Sequence, residues 1–125
     1  MKLLIDTHVF LWAIYSPKLL SKKVRVLLED PNVEVFFSSI SALEIGLKVA
    51  VGKLQADLEK VVQEAESIGF QEAPFLSRHA IGMQKLPQLH SDPFDRALLA
   101  QSLCDQSALV SKDREFARYG VELIW

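Results

Sequence analysis

Short apolar segments alternate with helical patterns along the whole chain, and this alternation constrains the fold more than any other feature. The segments predicted as strands are residues 3–5, 33–37, 70–73, 108–110 and 121–124. A chain that alternates strands with helices favours a mainly parallel sheet with helices covering both faces. We therefore predict a protein of the α/β class.

The helices between these strands are predicted from apolar residues at helical spacing and from polar residues at their N-caps. Ser21, Ser41, Asp57 and Asp92 precede four of these patterns. Asp92 is the strongest signal, because Pro93 follows it and proline favours the first turn of a helix. The helix that begins there is predicted to end near Gln106.

Length and composition indicate one compact domain spanning residues 1–125. The chain has 14 Lys and Arg against 16 Asp and Glu, a formal net charge of -2 that gives no support for a strong general attraction to nucleic acid but does not exclude local phosphate contacts. The only cysteine rules out an internal disulfide framework. With no signal-peptide pattern and no apolar run near the roughly 20 residues that span a bilayer, we expect a cytoplasmic protein without membrane segments.

Four acidic residues stand at positions where an α/β fold places its chemistry. Asp6 and Asp113 follow predicted strands, and Glu44 and Asp95 lie near helix starts. Loops at the carboxyl ends of parallel strands converge on one crevice, where gathered carboxylates repel one another unless a hard cation separates them. The pattern predicts a divalent-metal site and metal-assisted hydrolysis. Each acid also has an ordinary interpretation, such as a helix cap for Asp6 and an i,i+4 pair with Lys48 for Glu44.

The motifs around these acids resemble, in order, those of the PIN-domain family, and within it the VapC-like toxin ribonucleases of type II toxin–antitoxin systems. The matching stretches are Leu3-Leu4-Ile5-Asp6-Thr7-His8, Ser41-Ala42-Leu43-Glu44-Ile45, Lys48 with Gly52-Lys53-Leu54, His90-Ser91-Asp92-Pro93-Phe94-Asp95-Arg96, and Leu109-Val110-Ser111-Lys112-Asp113. The resemblance extends to Tyr119-Gly120-Val121 and to the terminal Ile124-Trp125. It therefore covers essentially the whole chain.

This resemblance implies a three-layer α/β/α sandwich whose acidic pocket holds Mg²⁺ or Mn²⁺. It assigns Asp6, Glu44, Asp95 and Asp113 to the four acidic positions, as metal ligands and catalytic residues. The implied activity is endoribonuclease cleavage of RNA phosphodiester bonds, which leaves a 3′-hydroxyl and a 5′-phosphate. The implied partners are an RNA substrate, a cognate antitoxin protein and a second copy of the chain in a homodimer.

Further residues are candidates for supporting or substrate contacts: Thr7, Lys48, Asp92, Arg96 and Ser111. Ser111 departs from the family pattern, which usually has Thr, but it keeps the hydroxyl. Asp92 is interpreted as a helix cap, with metal participation as the alternative. Arg96 is interpreted either as a phosphate contact or as an ordinary salt bridge. His90 is interpreted as a structural hydrogen-bonding group rather than a general base.

Two other kinds of protein were weighed against this interpretation. A signalling receiver domain needs paired acids after the first strand, whereas Asp6 stands alone and the second strand leads into Ser38-Ser39. Phosphate-transfer enzymes of the Asp-x-Asp type are disfavoured by His8, and the five scattered glycines form no phosphate-binding loop. The remaining alternative is a catalytically silent PIN fold that binds RNA or protein, and the presence of all four acids argues against it.

Overall fold

The computed structural model describes residues 1–125 and confirms the predicted alternation of strands and helices. The strands are β1 (Lys2–Ile5), β2 (Glu34–Ser38), β3 (Gln71–Ala73), β4 (Ala108–Val110) and β5 (Leu123–Ile124). The α-helices are α1 (Thr7–Tyr15), α2 (Lys22–Glu29), α3 (Ser39–Ala50), α4 (Leu58–Ser67), α5 (Ser77–Gln84) and α6 (Pro93–Asp105). Short 3₁₀ helices span Pro17–Leu19 and Arg114–Tyr119. No helix is both long enough and apolar enough to cross a membrane.

All five strands are parallel and lie in the order β3-β2-β1-β4-β5. The chain builds outward from β1 in both directions, so the strand order reverses between β1 and β4. In the register, Ile5 lies opposite Phe37 on one side and Val110 on the other, which aligns the carboxyl ends of the three central strands. Ligands of open parallel sheets bind in the crevice at such a reversal.

Side chains of β1 alternate between two separate cores, as the period of a strand requires. Leu3 and Ile5 join a cluster with residues of α1, α2, α3 and α4. Leu4 joins a second cluster with Leu98 and Leu99 of α6. The sheet is therefore buried on both faces between helical layers, and the predicted three-layer sandwich with a parallel sheet is confirmed.

Helix α6 is fixed to the sheet through a buried amide. Gln101 is fully buried, accepts a hydrogen bond from the Ser38 hydroxyl and donates one of 2.9 Å to the Ala73 carbonyl. An unpaired buried amide costs free energy, so this pairing specifies how α6 lies against the ends of β2 and β3. It thereby sets the position of Asp95 in the first turn of α6.

The predicted N-cap at Ser41 is wrong, because β2 passes directly into α3 without a loop. Ser38 is the last residue with extended backbone angles, and its hydroxyl accepts the Ile40 amide hydrogen at 3.0 Å. Ser41 lies inside the first turns, fully buried, and its hydroxyl accepts a 2.9 Å hydrogen bond from Thr7. The helix also ends at Ala50 rather than near position 52.

The other three predicted caps are confirmed. Ser21 accepts from the Val24 amide at 3.1 Å, and Asp57 accepts from the Lys60 amide at 3.3 Å. Asp92 accepts from two amide groups of α6, at 2.8 and 3.1 Å. The last predicted strand is shorter than expected, because only residues 123–124 pair with β4.

Candidate metal centre

Asp6 lies at the junction of β1 and α1, where it caps the helix and also lines a cleft. Its Oδ1 accepts a 2.8 Å hydrogen bond from the Val9 amide, and its own amide donates to the Val110 carbonyl of β4 at 3.0 Å. The residue is only 7% exposed. Its capping role and its place in the candidate site therefore coexist, because one carboxylate oxygen suffices for the cap.

A cleft of about 360 Å³ opens at the carboxyl ends of β1 and β4. It gathers three of the four predicted acids, Asp6, Asp95 and Asp113, which come from three distant segments of the chain. The other lining residues are His8, Trp12, Ser111, Lys112 and Phe116. The predicted convergence at the point where the strand order reverses is thus observed for these three acids.

Burial and neighbouring negative charges raise the pKa of two carboxyl groups in this cleft, Asp6 and Asp95. Burial raises the pKa of Asp95 to about 6, with further increases from Asp92, Glu44 and Asp6 that the charge of His90 partly offsets. Burial likewise raises the pKa of Asp6, against lowering by its hydrogen bond with Ser111. Desolvated, mutually repelling carboxylates are the environment that a bound cation relieves. An oxygen-rich donor set of this kind fits a hard divalent cation such as Mg²⁺ or Mn²⁺.

Glu44, the fourth acid, lies in an adjoining cleft of about 220 Å³. Its Oε2 accepts a hydrogen bond from Lys48 Nζ at 2.6 Å, as the i,i+4 spacing predicted. Lys53 also lines this cleft, and His8 belongs to both clefts. Glu44 nevertheless raises the pKa of Asp6, so its charge reaches the metal cleft.

His90 was not predicted as a site residue, yet the structure places it beside two of the acids. One ligand atom from each of His90, Asp95 and Asp113 lies within 4.8 Å of the other two. The ring also makes the predicted structural contact, with Nδ1 3.1 Å from the Tyr119 hydroxyl. The sequence signal was its position just before the Asp92–Asp95 turn, but only the folded loop brings the ring to Asp113.

The side-chain hydroxyls of Ser111 and Thr7 make hydrogen bonds close to the acids. Ser111 is buried, hydrogen-bonds to Asp6, and accepts the Asp113 amide hydrogen at 3.1 Å. It therefore links two acids of the cleft. Thr7 donates instead to Ser41, which ties the start of α1 to α3 near Glu44.

Asp92 and Arg96 lie outside the cleft lining. Asp92 is exposed and caps α6, which confirms the structural interpretation. Arg96 does not form the salt bridge that was one of its two interpretations. The residue is only 8% exposed, and its guanidinium donates to the Met83 carbonyl in α5 at 3.3 Å and to the Pro87 carbonyl just beyond the helix at 2.8 Å. The carbonyls at a helix end need donors, and the arginine supplies them.

Solved structures share this fold over nearly their full length. VapBC2 from Rickettsia felis, bound to a DNA fragment from its promoter, has 18% identity and a TM-score of 0.76, with 100% of this chain and 99% of that chain covered. DNA-bound VapBC from Salmonella typhimurium has 15% identity and a TM-score of 0.69, covering 99% and 97%. FitAcB from Neisseria gonorrhoeae has 19% identity and a TM-score of 0.67, covering 98% and 96%.

Sequence comparison gives the family directly. No curated protein matches the chain. The PIN-domain family model, however, matches residues 3–122, which include the four predicted acids and His90. The resemblance inferred from the motifs is confirmed, and the chain belongs to the PIN-domain family.

Proposed function

We propose that this protein is a metal-dependent endoribonuclease and the toxin of a toxin–antitoxin pair, formed by a single domain of residues 1–125. The observation that carries the proposal is the meeting of Asp6, Asp95 and Asp113 in one cleft at the carboxyl edge of the sheet. Membership of the PIN-domain family supports a nuclease. The toxin role draws on the solved structures of similar fold, which are VapBC and FitAB complexes.

In this proposal Asp6, Asp95 and Asp113 hold Mg²⁺ or Mn²⁺, and Glu44 adds negative charge from the adjoining cleft. The cation supplies Lewis acidity, which makes water a stronger nucleophile at neutral pH and neutralises charge developing on the phosphate. The carboxylates orient the attacking water by accepting its hydrogen bonds. Attack on phosphorus breaks the bond to the 3′ oxygen, so the products carry a 3′-hydroxyl and a 5′-phosphate.

Lysines beside the two clefts supply the positive charge that an RNA backbone needs. Lys112 lines the metal cleft, and Lys48 and Lys53 line the adjoining one. Phosphate contacts of this kind position a nucleic acid without selecting its sequence. They are local, which agrees with a net charge of only -2 for the whole chain.

An exposed apolar face supports the proposed protein partners. Leu43 and Leu47 of α3 and the following Val51 are 51%, 50% and 67% exposed, and they are spaced one helical turn apart. Exposed apolar patches of this kind commonly mark protein interfaces. We propose that this protein forms a homodimer and binds a cognate antitoxin. The molar mass of the purified chain, measured by light scattering with and without a candidate antitoxin protein, tests both partners.

The activity is tested by incubating purified protein with RNA and Mn²⁺ and sequencing the ends of the fragments. We expect 3′-hydroxyl and 5′-phosphate ends, and no cleavage with EDTA. Asp6→Asn is the control, because an Asn oxygen still caps the Val9 amide while the negative charge is lost. It should fold normally and lose activity by about 10²–10³-fold. RNA binding without metal-dependent cleavage would favour the silent binding module instead.

A further inference from the structure

We infer that His90 is a nitrogen ligand of the metal in this centre and that it makes the site bind Mn²⁺ in preference to Mg²⁺. The inference rests on the proposed metal-dependent function and adds to it a residue outside the four acids. It is carried by the position of the ring, by the hydrogen bond on its far nitrogen and by the packing around it.

The ring nitrogen and two carboxylates are close enough to share one ion. The ligand atoms of His90, Asp95 and Asp113 all lie within 4.8 Å of one another, and His90 Nε2 is 3.8 Å from Asp113 Oδ2. Neighbouring ligands of one octahedral cation are about 3 Å apart, since each lies about 2.1 Å from the metal. His90 Nε2 and Asp113 Oδ2 would therefore have to approach by about 1 Å, and a pair at the 4.8 Å limit by about 2 Å. The Asp113 side chain, 45% exposed, has room to move.

The hydrogen bond of His90 favours the protonation pattern that a metal ligand needs. Its Nδ1 lies 3.1 Å from the Tyr119 hydroxyl oxygen, at the side of the ring away from Asp113. When Nδ1–H donates to that oxygen, Nε2 presents a lone pair to the carboxylate side. Histidines that bind metals characteristically donate their other N–H to an oxygen, which fixes the tautomer and the ring orientation.

Aromatic packing holds the ring in this orientation. Its centroid is 5.4 Å from the ring of Phe116 and 5.5 Å from that of Tyr119, and its side chain is 16% exposed. Both aromatic residues belong to the 3₁₀ helix that begins immediately after Asp113. This 3₁₀ helix therefore packs against the His90 ring and also directly follows Asp113, the carboxylate with which His90 would share the ion.

A nitrogen ligand changes which divalent ion the site prefers. Mg²⁺ strongly prefers oxygen ligands and near-ideal octahedral geometry. Mn²⁺ also binds oxygen well but, as a first-row transition metal, accepts an imidazole nitrogen more readily than Mg²⁺ does. Three carboxylates alone would discriminate little between Mg²⁺ and Mn²⁺. Adding His90 Nε2 to Asp95 and Asp113 produces a mixed donor set that favours Mn²⁺.

The test measures metal binding by the full chain without RNA. Electron spin echo spectroscopy of bound Mn²⁺ detects a directly coordinated nitrogen, and we expect that coupling in the wild-type protein. It should vanish in His90→Gln, with Mn²⁺ affinity lowered about 10–100-fold and Mg²⁺ affinity changed by less than about threefold. His8→Gln is the matched control, because His8 lines the same cleft and its charge acts on both ions alike. It should keep the nitrogen coupling and the ratio of the two affinities.

If the spectrum of the wild-type protein showed no nitrogen coupling, that result alone would overturn the inference. So would a coupling that persists in His90→Gln, or an unchanged ratio of Mn²⁺ to Mg²⁺ affinity in that variant. If Mn²⁺ were bound by oxygen ligands alone and RNA cleavage still required metal, only the role of His90 would be overturned and the proposed function would stand. Failure of the wild-type chain to bind either ion would overturn the proposed function as well.

Discussion

Lys48 Nζ lies 2.6 Å from Glu44 Oε2, so the one predicted acid outside the metal cleft is held by a cation of its own helix. The carboxylate is largely buried at 9% side-chain exposure, whereas the lysine is 45% exposed. Glu44 raises the pKa of Lys48, and more distant increases come from Asp92 and Asp95. The ammonium group is therefore a permanent positive charge beside the acids.

Replacing this lysine should affect the metal and the RNA in opposite directions. In Lys48→Gln a positive charge near the acids is lost, so we expect Mn²⁺ to bind more tightly and RNA more weakly. The loss of stability should stay below about 1 kcal/mol, because the lysine is nearly half exposed. Calorimetric titration with Mn²⁺ and an RNA-binding assay measure the two effects. Lys60→Gln, on the exposed surface of α4, should change neither; a parallel change in both affinities would contradict the prediction.

The hydroxyl of Ser111 should matter for the geometry of the acids. It bonds to Asp6 and accepts the Asp113 amide hydrogen, so Ser111→Ala removes both contacts. Since the hydrogen bond lowers the pKa of Asp6, its loss raises that pKa further and weakens Mn²⁺ binding, by about 10–100-fold for a supporting contact. Ser111→Thr keeps the hydroxyl and should retain near wild-type affinity. Equal Mn²⁺ affinities for the alanine and threonine variants would refute the linking role.

Divalent metal should stabilise the folded protein. The pKa of Asp95 is raised to about 6, against an ordinary 3.8, so its ionised form destabilises the metal-free fold at pH 7. Mn²⁺ at about 100 times its Kd contributes about 2.7 kcal/mol, which raises the Tm by roughly 10 °C in a domain of this size. Asp95→Asn should be at least as stable without metal and gain less from it. A wild-type Tm that does not change when Mn²⁺ is added would contradict a metal site in this cleft.

Asp105 should give the fold a dependence on acid pH that is separate from the metal cleft. Burial raises the pKa of its carboxyl, but hydrogen bonds from His79 and Arg78 outweigh that effect and hold it below 3.8. A lowered pKa means that the ionised form stabilises the fold: the stabilisation is complete above about pH 4 and is lost as pH falls through the folded-state pKa. The carboxylate joins α5 to α6, 2.9 Å from His79 Nε2.

Asp105→Ala should therefore lower the free energy of unfolding at pH 7 by about 1–3 kcal/mol, because the buried His79 N–H loses its acceptor. Asp105→Asn keeps an acceptor oxygen and should cost less. Its stability should move closer to that of the wild type as pH falls below about 4, because the wild-type carboxylate is progressively protonated and the charge difference shrinks. Urea unfolding at pH 7 and pH 3.5 measures the free energy of unfolding of both variants. If the difference in this free energy between the wild type and Asp105→Asn were the same at the two pH values, the charge of Asp105 would be unimportant.

Local sequence predicted those features that local chemistry determines. The strands around Asp6 and the cap at Asp92 follow from short-range patterns, as does the pairing of Glu44 with Lys48. The N-cap of α3 was misplaced because Ser38 and Ser41 both suit a cap, and only the end of strand pairing distinguishes them. Both serines are buried, and the tertiary structure decides that Ser38 caps the helix while Ser41 accepts a hydrogen bond from Thr7.

The hydrogen-bond partners of Arg96 and the position of His90 beside Asp113 could not be predicted, because both depend on how the segment between α5 and α6 folds back. Arg96 satisfies carbonyls at the end of α5, which no spacing in the sequence reveals. His90 meets Asp113 only when that segment packs against the 3₁₀ helix after β4. Contacts between residues nine or more positions apart in the chain determine these two placements.

The reversal of strand order at β1 has an evolutionary consequence. The arrangement of the strands creates the crevice, so replacing the acids by neutral residues that keep the Asp6 cap on the Val9 amide would leave the cavity in place. A descendant of this chain could exchange its carboxylates for neutral residues and still present the same concave surface. A few point substitutions, with no change of fold, would therefore suffice to remove the candidate metal site during evolution.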